Sequence, residues 1–116
     1  MANLLHGYRY LFGNEYQLQA AVAEVLRSAG EGVTREEILD RHSRADVMLE
    51  DGILVEVKTE GSLSAALRQC ERYSTLTAVH GIVLAAAVSW ARGQLVSRPT
   101  MSGKPFALVH LARQAL

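Results

Sequence analysis

The sequence has little of several residue types, and each shortage excludes a class of protein. There is one cysteine, Cys70, in 116 residues. It cannot close an internal disulfide, and it lacks the paired spacing of a zinc finger. A reducing cytoplasm is the expected setting. Prolines number two and no low-complexity tract is present, which argues against a linker, a collagen-like chain or a mucin-like stalk. Neither charge sign is in excess. Twelve Lys and Arg balance twelve Asp and Glu for a formal net charge of zero, so a non-specific nucleic-acid coat is not expected. The longest apolar run, Ile82 to Val88, falls far short of the roughly 20 residues that cross a bilayer. The opening MANLLHGYRYLFGNE has neither a basic start nor an unbroken apolar stretch, so no signal peptide is expected. No Gly-rich phosphate loop points to an NTPase.

What is there is enough for one packed core. Hydrophobic residues make up 49% and mean hydropathy is +0.07, which suits a single domain over residues 1–116. A helix is expected from about Asn14 to Ser28, capped by Asn14 and stopped by Gly30 and Gly32. Leu18, Val22, Val25, Leu26 and Ala29 form its apolar stripe. Val33 to Leu39 fits either a strand or a short helix opened by Thr34 with Glu37 in a capping box, and the residues do not decide. Ala45 to Leu49 and Ile53 to Lys58, joined through Glu50-Asp51-Gly52, form a β-hairpin. A second helix is expected from Ser62 or Ser64 to Tyr73, with Leu63, Ala66, Leu67 and Cys70 inward. Gly81 to Val88 reads as a strand covered on both faces. Lys104 to Leu111 reads as a final strand, after a connection over Ser89 to Gly103 with a turn at Ser102-Gly103. The expected class is α/β with a mixed sheet flanked by helices, in the order α-β-β-β-α-β plus a C-terminal strand.

The hairpin carries the chemistry. Side chains alternate along a strand, so Glu56 and Lys58 share one face while Val55 and Val57 take the other. Val47 and Leu49 likewise point away from Asp46. Two acids in a half-buried sheet repel each other and are costly to desolvate unless something neutralises them. A hard divalent cation does so, and carboxylate oxygens completed by water and phosphate are what Mg²⁺ prefers. Lys58 adds a point charge able to orient a water or stabilise a charged transition state.

Asp46, nine intervening residues, and then Glu56-Val57-Lys58 resembles the signature of the PD-(D/E)XK nuclease superfamily, with Ala45 in place of its proline. The resemblance spans roughly Glu15 to Val88, and covers small stand-alone members of the VRR-NUC, Holliday junction resolvase and RecB-like kinds. It implies a restriction-endonuclease-like core and a Mg²⁺- or Mn²⁺-dependent deoxyribonuclease that cleaves a phosphodiester to leave a 5′-phosphate. It also implies that Asp46 and Glu56 ligate the metal, with the Val57 carbonyl as a further ligand and Lys58 acting on the attacking water. Many members carry a glutamate on the first helix that reaches the metal site from its side, which implies a further metal-ligating and catalytic residue. Glu15 and Glu24 are the candidates, and Glu15 is preferred because it lies on the Leu18/Val22/Val25 face while Glu24 points nearly opposite. Gln69-Cys70-Glu71-Arg72-Tyr73 resembles the Q-x-x-x-Y pattern of RecB-like and Cas4-like nucleases, which implies that Gln69 and Tyr73 contact DNA. The cysteine count excludes the iron–sulfur cluster of the Cas4-like members. Arg68 and Arg72, one turn apart, are expected to clamp phosphate beside them, and Arg44 to flank the site.

Other residues have plainer readings. His42 reads as a loop histidine before the Asp46 strand, Cys70 as a small core residue, and Glu36, Glu37 and Asp40 as an acidic face. One of those three is a candidate further ligand if their segment is the first strand of the meander. Trp90 is expected at an apolar edge or a dimer contact. A chain of this size suits structure-specific cutting of junctions, flaps or ends better than sequence-specific cutting, and symmetric cleavage of both strands implies a homodimer. The alternative function is an inactive nuclease-fold subunit that binds nucleic acid or supports assembly.

Overall fold

A computed structural model of the chain describes residues 2–92 and 99–114. A short helix α1 (Ala2–His6) and a two-residue strand β1 (Arg9–Tyr10) precede the first long helix, α2 (Glu15–Ser28). Neither short element was expected, since so few residues carry no periodic signal. Asn14 starts α2 by accepting the Gln17 N–H at 2.8 Å. The helix ends where Gly30, at φ +91°, lets the Gly30 and Glu31 N–H groups return to the carbonyls of Arg27 and Leu26. Its buried face is Leu18, Gln19, Val22, Ala23 and Leu26. Val25 is half-buried, and Ala29, expected on the stripe, is exposed because it lies past the last turn.

The open segment is a strand, β2 (Val33–Asp40), paired antiparallel with β3 (Ser43–Leu49). It forms the edge of the sheet β2-β3-β4-β5-β7-β6. An edge needs one ladder and tolerates charged side chains, so pairing overrides the local capping-box signal. β3 turns through Asp51 and Gly52, the latter at φ +91°, into β4 (Ile53–Lys58). Ser62 caps α3 (Leu63–Ser74) by accepting the Ala65 N–H, and α3 crosses over to β5 (Gly81–Ala86), parallel to β4. A 3₁₀ turn at Ser89–Ala91 follows, then β6 (Thr100–Met101), β7 (Lys104–His110) and β8 (Ala112–Arg113). The expected connection over 89–103 thus includes two short elements, and its residues 93–98 lie outside the described residues. β6 and β7 turn at Ser102 and Gly103, both at positive φ as a two-residue hairpin needs. β7 runs parallel to β5, and β8 pairs with β1 in a small second sheet.

The architecture is therefore α/β, a mixed six-stranded sheet with helices on its faces. Val47, Leu49, Val55 and Val57 pack with Leu18, Val22 and Leu26 of α2. Met48, Leu54, Ile82 and Leu84 pack on the other face with Ala66, Cys70 and Tyr73 of α3. Leu63 and Leu67 are half-buried; Tyr73 and Ser74 complete the inner face of α3 in their place. Trp90 covers the edge of this layer and donates to the Gly61 carbonyl at 3.0 Å. Among the described residues no helix is long and apolar enough to cross a membrane.

Candidate active site

The β3–β4 register pairs Val47 with Val55 and Met48 with Leu54. Continued by one pair, it sets Asp46 opposite Glu56. Here side chains take over from the ladder. Asp46 Oδ2 accepts the Val57 N–H at 2.9 Å, and Glu56 Oε1 accepts the Asp46 N–H at 3.3 Å. Lys58 Nζ stands 3.9 Å from Glu56 Oε2. The valines on the opposite side of both strands are locked into the α2 layer, which fixes the face on which the charged residues emerge.

Glu56 is 1% exposed. Burial, and then the neighbouring Asp46 charge, push its carboxyl up to about 9, against the pull of Lys58. Burial also raises Asp46, opposed by the Val57 N–H and by Lys58, while Glu15 adds to the rise. A side-chain hydrogen bond between the two acids favours the proton on Glu56 and the charge on Asp46. Cys70, in the layer beneath, has its thiol pushed up to about 12, chiefly by burial, and is an inert core residue.

Glu15, the first residue of α2, reaches the C-terminal end of β4. Its Oε1 accepts the Thr59 N–H at 2.9 Å and the Thr59 hydroxyl at 3.3 Å. Glu15, Asp46, Glu56 and Lys58 line one cleft of about 410 Å³, together with Gln69 and Tyr73. Gln69 Nε2 donates to the Tyr73 hydroxyl at 3.1 Å, and that hydroxyl donates to the Arg44 carbonyl at 3.3 Å. Glu24 is exposed and does not line the cleft. Arg68 and Arg72 are exposed on α3 and do not line it either; the Arg72 guanidinium lies 5.2 Å from the centre of the Tyr73 ring. Arg44 does line the cleft, but its Nε is paired with Glu36 Oε2 at 3.0 Å.

Glu36 and Gln19 also belong to the cleft, as does His42 at its rim. Gln19 Nε2 donates to Glu36 Oε1 at 3.3 Å, and Arg35 Nε donates to Gln19 Oε1 at 3.1 Å. Glu36 sits at φ 55°, a left-handed conformation that is costly for a residue with a side chain. Gln19 had a signal in the sequence, being a polar residue one turn after Glu15 on a packing helix. Thr59 had none.

Compared with known proteins, the chain matches no family model, no curated protein and no solved structure.

The donor chemistry of the cleft fits a hard divalent cation. Two carboxylates, Asp46 and Glu56, meet where the β3–β4 ladder ends, and burial raises the proton affinity of both. Among the described residues no three His, Cys, Asp or Glu side chains already enclose a cation position. Mg²⁺ usually takes only one or two carboxylates, and fills its remaining positions with water and substrate phosphate.

Proposed function

We propose that the chain is a divalent-metal-dependent deoxyribonuclease with a PD-(D/E)XK, restriction-endonuclease-like core. The observation that carries this reading is the meeting of Asp46, Glu56 and Lys58 in one cleft, with Glu15 arriving from a separate helix. A buried acid and a half-buried one beside a lysine are costly to maintain for stability alone, and cleft acids with perturbed proton affinities favour a functional role. Asp46 and Glu56 would hold Mg²⁺ or Mn²⁺ with the Val57 carbonyl. When bound, the cation supplies Lewis acidity to the phosphate and to the leaving oxygen.

The chain's own residues supply the rest. Lys58 orients the attacking water and offsets negative charge as the water adds to phosphorus in line with the departing 3′-oxygen, leaving a 5′-phosphate. Glu15, held by Thr59, would complete the acidic set around the cation, directly or through water. Gln69 and Tyr73 seat the backbone. The charged and polar lining suits contact with phosphate and sugar rather than base edges, so recognition of junctions, flaps or ends is the expected preference. A panel of labelled linear, nicked, flap and four-way DNA with Mg²⁺, Mn²⁺ or EDTA tests the reading. Metal-dependent products carrying 5′-phosphates support it. Binding without cleavage would favour the inactive subunit, and neither binding nor cleavage would remove both readings.

A further inference from the structure

A second cleft, of about 460 Å³, adjoins the first, and its charge is of one sign. Asn14 and Thr59 line it, and their neighbours in sequence, Glu15 and Lys58, line the acidic cleft. The Glu15–Thr59 hydrogen bond forms the shared wall. On the far side stand Arg9 of β1, Arg92 after the 3₁₀ turn, His110 at the end of β7 and Arg113 of β8. No carboxylate lines this cleft, and among the described residues none of its arginines makes an ion pair. Arg113 is held in place, donating to the Phe12 carbonyl at 2.6 Å with its guanidinium 4.6 Å from the centre of that ring. Arg92 Nε points at His110 Nε2, 3.4 Å away. Burial, Arg92 and His6 together hold the His110 imidazole below its usual range, so it takes on no further charge of its own.

Like charges gathered without counter-charges are costly in the free protein and favour an anion that bridges them. Since the chain is neutral overall, this is segregation rather than a general excess. We infer that the Arg9–Arg92–Arg113 cleft is a phosphate-backbone track that holds the nucleic-acid strand as it leaves the acidic cleft across the Glu15–Thr59 wall. The track explains how a site lined by four acids draws a polyanion: the attraction is supplied next door. The strand's continuity with the acidic cleft rests on the nuclease reading, whereas the binding itself does not.

Binding of a fluorescein-labelled 20-nucleotide single strand and its duplex, in EDTA over a range of salt, tests the track in the full chain. Arg9→Ala combined with Arg92→Ala should weaken binding at least about tenfold and lower the slope of log affinity against log salt by roughly one per arginine. Lysines at the same two positions should restore most of the slope, and this separates lost charge from lost fold. Affinity and slope equal to the parent in the double variant would overturn the inference even if the protein cuts DNA. An arginine-dependent slope in a protein that cuts nothing would uphold the track while the nuclease reading fails.

Discussion

The Asp46 and Glu56 carboxyl groups each accept a backbone N–H from the opposite strand: Asp46 takes that of Val57, and Glu56 takes that of Asp46. The same atoms that would ligate a cation therefore end the β-ladder in its absence. Folding and metal binding draw on one pair of acids, and the predictions below follow from that sharing.

Removing the Asp46 charge should abolish cleavage. Asp46→Asn keeps the shape and the Val57 contact but not the negative charge, and should lower the cleavage rate at least about 100-fold. Single-turnover kinetics on whichever DNA the parent cuts provide the measurement, with melting curves to show that the variant is folded.

Glu56 gives the metal-free protein a defined pH dependence. Its carboxyl rises from an ordinary 4.5 in the unfolded chain to about 9 in the fold, so the native state binds more protons between those values. The stabilisation this proton confers is complete below about pH 4.5 and is lost as pH rises toward and through about 9. Denaturant midpoints in EDTA should fall over that window and fall less in Glu56→Gln. Metal binding needs the deprotonated acid, so added Mn²⁺ should stabilise the protein more as pH rises.

Lys58 should separate chemistry from metal affinity. As a cation 3.9 Å from Glu56 it opposes a second cation, so Lys58→Ala should leave Mn²⁺ affinity unchanged or tighter. The cleavage rate should still fall on the order of 100-fold or more. Equal losses in both quantities would place Lys58 in support of the acids rather than over the water.

Much of this was legible in the residues. The hairpin, the α3 crossover and the inward valines follow from turn chemistry and period-two alternation, and they fix where Asp46, Glu56 and Lys58 emerge. Helical phase separates Glu15 from Glu24, and the exposed position of Glu24 agrees with it. The strand identity of β2 was not legible, because an edge strand with Thr-Arg-Glu-Glu has no clear alternation and is settled by pairing. With it went the place of Glu36, whose positive φ has no signature in a non-glycine residue. Spacing puts Arg68 and Arg72 on one exposed face of α3, and that face lies beside the cleft lining rather than in it.

Arg44 is held in reserve by Glu36. Glu36→Gln removes the ion pair at 3.0 Å and frees the guanidinium for phosphate. DNA affinity should rise several-fold at low salt, with a steeper salt dependence, as read by fluorescence anisotropy in EDTA.

Tyr73 should matter to the fold before it matters to substrate. Its hydroxyl is buried and donates to the Arg44 carbonyl, so Tyr73→Phe should cost about 1 kcal/mol in denaturant unfolding. Gln69→Ala should leave stability nearly unchanged and raise KM for DNA.

Calorimetric titration of Mn²⁺ into the parent and into Asp46→Asn at pH 7.5 tests most directly whether the Asp46–Glu56 pair is a metal site. The account predicts one site in the parent, with proton release on binding, and its loss in the variant. No heat of binding at millimolar Mn²⁺, or equal binding by both proteins, would contradict it.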